Sequence, residues 1–246
     1  MITLTRALAM SRNVPAVKIS EFVGREVVRS VAAQFGIESE LAAGPALALG
    51  ASESTLLEMT GAYAGILNGG TSVTPYGLVE LRLQGDRDPL MGQGGGLGER
   101  VISERAAQEL IYMMNQVVLR GTGTRAKLPD REAAGKTGTT DEKRDAWFIG
   151  FTADYVVGVW MGNDDNTPMA GITGGGLPAE IWRETMVRIN EGIPPRPLPM
   201  REPEAPTPAE REQFNPTPRD NGGNVDAVAE SILNELLNGL FGNNRR

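Results

Sequence analysis

The chain has 246 residues, 40% of them apolar, and 24 basic against 31 acidic side chains, which suits one good-sized domain plus a tail and argues against a general nucleic-acid-binding surface. It has no cysteine and no histidine, so disulfides, thiolate chemistry, Cys-ligated zinc and any Ser-His-Asp triad are excluded, and acid–base chemistry near neutral pH needs a perturbed Lys, Asp, Glu or Tyr. No run reaches the ~18 apolar residues of a membrane span, and no signal peptide is visible.

Residues 1–10 read as the start of a short helix that runs into Ser11-Arg12-Asn13-Val14-Pro15. Asn13 is a natural cap and Pro15 suits the first turn of a second helix, over 15–23, which Gly24 stops. For Ser11 and Asn13, simple capping is an alternative to any chemical role. A third helix over 25–35 carries the stripe Val27, Val28, Val31, Ala32 and Phe35, and Gly36 ends it. Residues 41–50 read as a loop. Ser52, Ser54 or Thr55 then caps a helix reaching residue 68, and Thr55 with Glu58 has capping-box spacing.

Residues 75–83 look extended, Gly85-Asp86 marks a turn, and 92–98 reads as a flexible glycine loop. Ser103 caps the strongest helix, with the stripe Ala106, Ala107, Leu110, Ile111, Met114, Val117 and Val118. Gly121-Thr122-Gly123-Thr124-Arg125-Ala126 fits a G-x-G-x-x-A pattern but follows a helix rather than a strand, so it reads as a loop and not as a dinucleotide site. Asn163-Asp164-Asp165-Asn166 is acidic and turn-like but lacks the Gly and distal Glu of an EF-hand. Pro178 opens a last helix to about residue 190, with Ile181, Trp182, Met186 and Ile189 expected to face inward.

The chain is organised around Ala134-Gly135-Lys136-Thr137-Gly138-Thr139-Thr140. The aromatic and β-branched runs at 147–151 and 155–161 predict a hairpin, and the stretch ending near Thr139 predicts a third strand beside it. In a strand, Thr137 and Thr139 share one face and Lys136 takes the other. Gly138 lets another backbone or a ligand come close. Hydroxyls, backbone N–H groups and a nearby cation together suit an anionic substrate. A P-loop would need Gly where Asp130 stands and a helix afterwards, so that reading fails. A Gly-rich turn before a hairpin is the bland alternative for the motif taken alone.

These landmarks in order resemble the transpeptidase domain of class A penicillin-binding proteins. The resemblance rests on Ser11-Arg12-Asn13, on Lys136-Thr137-Gly138-Thr139-Thr140 and on the run from Asp145 to Phe151. Leu47-Ala48-Leu49-Gly50 and Val159-Trp160-Met161-Gly162 before Asn163-Asp164-Asp165 are similar to the same family. It covers residues 1–192 and implies an α/β fold of the α+β type: a partial penicillin-binding, serine β-lactamase-like fold with an antiparallel sheet flanked by helices. The family motifs are S-x-x-K, S-x-N and K-T-G. No serine here is followed three places later by lysine, so the nucleophile is expected upstream of this chain.

The resemblance implies D,D-transpeptidation in cell-wall synthesis, with peptidoglycan stem peptides as partners: a D-Ala-D-Ala donor and an amine acceptor. Ser11 then belongs to a proton relay, Asn13 holds the substrate amide, and Lys136 supplies positive potential. Thr137 and Thr139 bind the terminal carboxylate beside Gly138, and the Thr139 N–H gives half of an oxyanion hole. β-Lactams would be inhibitors. No metal or cofactor is implied, and the parent would sit on the outer face of the cytoplasmic membrane or in the periplasm, tethered by an N-terminal segment. A serine β-lactamase or D,D-carboxypeptidase and a non-catalytic peptidoglycan-binding remnant stay open. Residues 193–224, which hold nine of the sixteen prolines, predict a disordered linker. Residues 225–246 predict a short amphipathic helix, with a partner-binding role open for the tail.

Overall fold

The computed structural model describes residues 2–92 and 95–204; the expected terminal helix lies outside them. In chain order the helices are α1 (Leu4–Ala9), α2 (Asn13–Val23), α3 (Arg25–Gln34), α4 (Leu56–Leu67), α5 (Glu104–Arg120) and α6 (Leu177–Ile189). The strands are β1 (Thr71–Thr74), β2 (Glu80–Leu81), β3 (Met91–Gly92), β4 (Gly96–Arg100), β5 (Ala134–Thr139), β6 (Asp145–Phe151) and β7 (Val156–Gly162).

The central sheet is antiparallel in the order β5-β6-β7. Its register aligns Lys136 with Ile149 and Gly158, and Thr137 with Phe148 and Val159. Because side chains alternate, each face collects its own core. Ala134 and Phe151 pack with Ile111 and Met114 of α5, against which Tyr63 and Ile66 of α4 also lie. Phe148, on the other face, packs with Trp182 and Met186 of α6 and with Val118 and Leu128. The Phe148 and Trp182 rings meet edge-on at 5.2 Å. The Trp182 indole N–H donates to the carbonyls of Gly150 and Val157 at 3.2 and 3.1 Å, so its burial leaves no donor unmet. Helices therefore cover both faces of this antiparallel sheet, α5 and α4 on one and α6 on the other.

The caps follow the sequence closely at α4 and α5. Thr55 makes the full capping box with Glu58, and Ser103 accepts from the Ala106 N–H at 3.2 Å. Gly24 stops α2 with φ of 99°.

Several expectations are corrected. Asn13 is the first residue of α2, whose N-cap is Arg12 with no side-chain bond, so neither Ser11 nor Asn13 caps it. The α3 stripe is not a core: none of that helix's own residues is buried and Val27 is exposed, Val28, Val31 and Ala32 are half-buried, and only Phe35, just past its end and against Gly65 of α4, is buried. Of the strand expected over 75–83 only the two-residue β2 forms, paired with β3, and a separate strand, β1, precedes it and ends at Thr74, since Pro75 has no N–H to continue the ladder. Its partner β4 comes from the expected glycine loop. Residues 41–50 hold a short 3-10 turn over Pro45–Leu49. In α5 the inward face omits Ala106 and includes the polar Asn115 and Gln116. In α6 Ile181 and Ile189 turn outward, while Pro178 and Ala179 join Trp182 and Met186 inside.

The proline-rich segment also departs from expectation where it is described. Leu198 is 5% exposed and packs with Ile111, Met114, Ala134 and Phe151. Its N–H donates to the Glu132 carboxylate at 2.8 Å, and Arg196 pairs with Asp154. Residues 193–204 thus lie along the domain rather than starting a free linker; 205–246 lie outside the described residues.

Candidate active site

The site begins at a helix end. After Ala9 the chain turns through Met10 and Ser11, with the Ser11 N–H donating to the Leu8 carbonyl and the Arg12 N–H to the Ala7 carbonyl, at 3.0 and 2.9 Å. That bond pair is the Schellman ending of α1, and it puts Ser11 where glycine usually stands, in the left-handed region at φ of 49°. A serine there carries strain of order ~1 kcal/mol. The turn aims its side chain at β5, and the Lys136 Nζ donates to the Ser11 Oγ at 2.8 Å across 125 residues of sequence.

Lys136 also donates to the carbonyl of Thr137 at 2.8 Å. No carboxylate among the described residues pairs with it. Burial therefore acts on the ammonium unopposed, and its pKa is lowered to about 8. Asn13 is exposed, two residues beyond Ser11.

Thr137 and Thr139 face the α6 side. The Thr137 hydroxyl lies 2.6 Å from that of Thr122, and Thr139 Oγ1 accepts from the Gly174 N–H at 3.0 Å. A Cβ on Gly138 would meet the Trp147 side chain at 3.2 Å, and a Cβ on Gly174 would sit 2.3 Å from the Gly138 carbonyl oxygen, so it is the glycine at 174 that lets the two backbones come close. A hydroxyl that accepts from an N–H keeps its own proton free for an incoming anion. The entry to β5 is fixed from α5, where buried Asn115 donates to the Ala133 carbonyl at 2.9 Å.

The fold thus gathers Ser11, Lys136, Thr137, Gly138 and Thr139 around one end of an edge strand, with Asn13 close in sequence. Thr122, Gly174 and Asn115 were missed. Thr122 sat in a pattern discarded for its wrong context. Gly174 lies in the run Gly174-Gly175-Gly176 just ahead of the last helix, and a glycine run by itself names no contact. Asn115 is a polar residue inside an apolar stripe, and that was the available signal.

Comparison with known proteins gives the family of the chain. The family model for the penicillin binding protein transpeptidase domain matches residues 1–187. Penicillin-binding protein 1A of Aquifex aeolicus (strain VF5) is 34% identical over 194 residues, which are 78% of this chain and 26% of that protein. The chain therefore spans about a quarter of the length of the curated relatives it matches. The structure of penicillin-binding protein 1A from Haemophilus influenzae superposes with a TM-score of 0.68 at 26% identity, covering 83% of this chain and 36% of that one. The PonA1 protein from Mycobacterium tuberculosis, solved in complex with penicillin V, shares the fold with a TM-score of 0.69 at 24% identity, covering 84% and 62%.

The chain belongs to the penicillin-binding protein transpeptidase family. Its kinship there is with the class A members. Among the described residues no helix is long and apolar enough to cross a membrane.

Proposed function

We propose that residues 1–192 form the C-terminal part of a D,D-transpeptidase domain that cross-links peptidoglycan stem peptides, and that β-lactams bind at the same site. The observation that carries this reading is the 2.8 Å contact of Lys136 Nζ with Ser11 Oγ beside two hydroxyls on one strand. In the reaction a serine attacks the carbonyl of the D-Ala-D-Ala amide, the C–N bond breaks, and D-Ala leaves with the proton. A stem-peptide amine then attacks the ester and regenerates the serine. Ser11 and Lys136 move the proton. Thr137 and Thr139 hold the terminal carboxylate, Gly138 keeps the approach open, Asn13 binds the substrate amide, and the Thr139 N–H stabilises the oxyanion. Losing one such oxyanion donor typically costs ~2.7–4 kcal/mol of barrier.

The nucleophile of this reading is an upstream S-x-x-K serine, since no serine of the 246 has that spacing. The exposed apolar side chains of α2, including Val14, Ile19 and Val23, suit a covering layer from the same upstream part. The parent then acts on the outer face of the cytoplasmic membrane or in the periplasm. The missing spacing equally favours a second reading for these residues alone, a peptidoglycan-binding piece without catalysis.

Labelling with a fluorescent penicillin tests both. The 246-residue chain should stay unlabelled, and the chain extended upstream through an S-x-x-K helix should take up one label per molecule at the new serine. No label on the extended chain would remove the transpeptidase reading. An adduct on Ser11 of the short chain would make that serine the nucleophile instead.

A further inference from the structure

The loop between α5 and the sheet carries a side chain that the proposed reaction does not use. Thr122 touches three parts of the site at once. Its N–H donates to the Ala9 carbonyl at 3.0 Å, at the end of α1 just before Ser11. Its hydroxyl lies 2.6 Å from the Thr137 hydroxyl. Its carbonyl is so close to Gly175 that a Cβ there would sit 2.2 Å away. It is half-buried, and its backbone is held on both sides.

We propose that Thr122 is a positioning residue that orients the Thr137 hydroxyl toward a substrate carboxylate. This rests on the proposed role of Thr137 as a carboxylate ligand. Two hydroxyls at 2.6 Å share one hydrogen bond, and either can donate. A carboxylate only accepts, so its arrival selects one arrangement: Thr122 donates to Thr137, and Thr137 donates to the anion. In that order the Thr122 bond polarises Thr137 and strengthens its donation. It also locks the Thr137 rotamer, so the hydroxyl need not be ordered when substrate binds. Thr139 has the parallel arrangement with a backbone donor, Gly174, in place of a side chain. Thr137 is thus the half of the carboxylate cradle whose orientation a single side-chain substitution can remove.

The test uses the chain extended upstream through S-x-x-K and compares acylation by a penicillin with acylation by its methyl ester, which lacks the anionic carboxylate. The unsubstituted protein should favour the acid. Thr122→Val keeps the shape and removes the hydroxyl; it should slow acylation by the acid about tenfold, the upper scale of one net hydrogen bond, and leave the ester rate unchanged. Thr122→Ser should restore the acid rate. Equal losses for acid and ester, or no loss for the acid, would overturn the inference. If the unsubstituted protein does not distinguish acid from ester, the carboxylate role of Thr137 fails first, and the inference falls with it. Should Thr122→Val not fold, Thr122→Ala against Thr122→Ser carries the same comparison.

Discussion

Burial lowers Lys136 to about 8, so its charge persists at neutral pH and is lost just above it. If the cation supplies potential for acylation, the rate in the extended chain should fall as pH rises through about 8. Lys136→Arg holds its charge past pH ~12, so whatever activity it keeps should lose that alkaline limb. A wild-type rate that is flat from pH 7 to 9.5 would remove the cation from the step. Folding gives an independent sign. The ordinary lysine value is 10.5, so between about 8 and 10.5 the unfolded chain binds more protons and stability rises with pH. The site was legible where residue type set the chemistry: Lys136, Thr137 and Thr139 follow from a strand's alternation. Ser11 was legible as a motif but not as geometry, because its use depends on a helix end meeting a strand 125 residues away.

At the scale of elements, α4 shows how a local signal is extended by tertiary contacts. The box of Thr55 and Glu58 could be read directly from spacing. The carboxylate does more: it accepts from the Ser39 hydroxyl at 2.6 Å, the Thr55 N–H at 2.8 Å, and the N–H groups of Glu38 and Ser39 at 3.0 Å. These bonds, the Ser39 hydroxyl first, push Glu58 down to about 2. A lowered carboxyl stabilises the fold above its ordinary value of 4.5, and that contribution is lost as pH falls toward 2. Glu58→Gln should lower the unfolding free energy at pH 7 by about 1 kcal/mol, the scale of a lost cap. Urea titrations from pH 5 to 2 should also show a shallower acid loss than in the unsubstituted chain. An unchanged acid slope would assign that loss elsewhere. The Ser39 contact was not legible, because nothing in a loop's composition says which helix start it meets. The same limit hid β4, whose glycines read as a loop until β1 supplied a partner.

Across the whole molecule, the largest revision is the segment after Ile193. Proline and charge predicted a free linker, yet one leucine reverses that for 193–204. Leu198 enters the core on the Ala134 side of the sheet, the face that Lys136 also takes, so the strap packs against the strand that carries Lys136. Composition averages over a segment, whereas anchoring needs only one side chain that fits. Leu198→Ala should lower the unfolding free energy by about 2–5 kcal/mol, as a buried Leu→Ala change does. The Leu198 amide, bonded to Glu132, should exchange slowly with deuterium. A loss under about 0.5 kcal/mol, the range of a surface change, would show the strap to be loosely held in solution.

The left-handed serine at position 11 sets folding against chemistry. Glycine would relax that turn, so on folding grounds alone serine is the poorer residue there. What serine adds is a hydroxyl 2.8 Å from Lys136 Nζ. Ser11→Gly therefore separates the two: the turn is relieved while the lysine loses that acceptor.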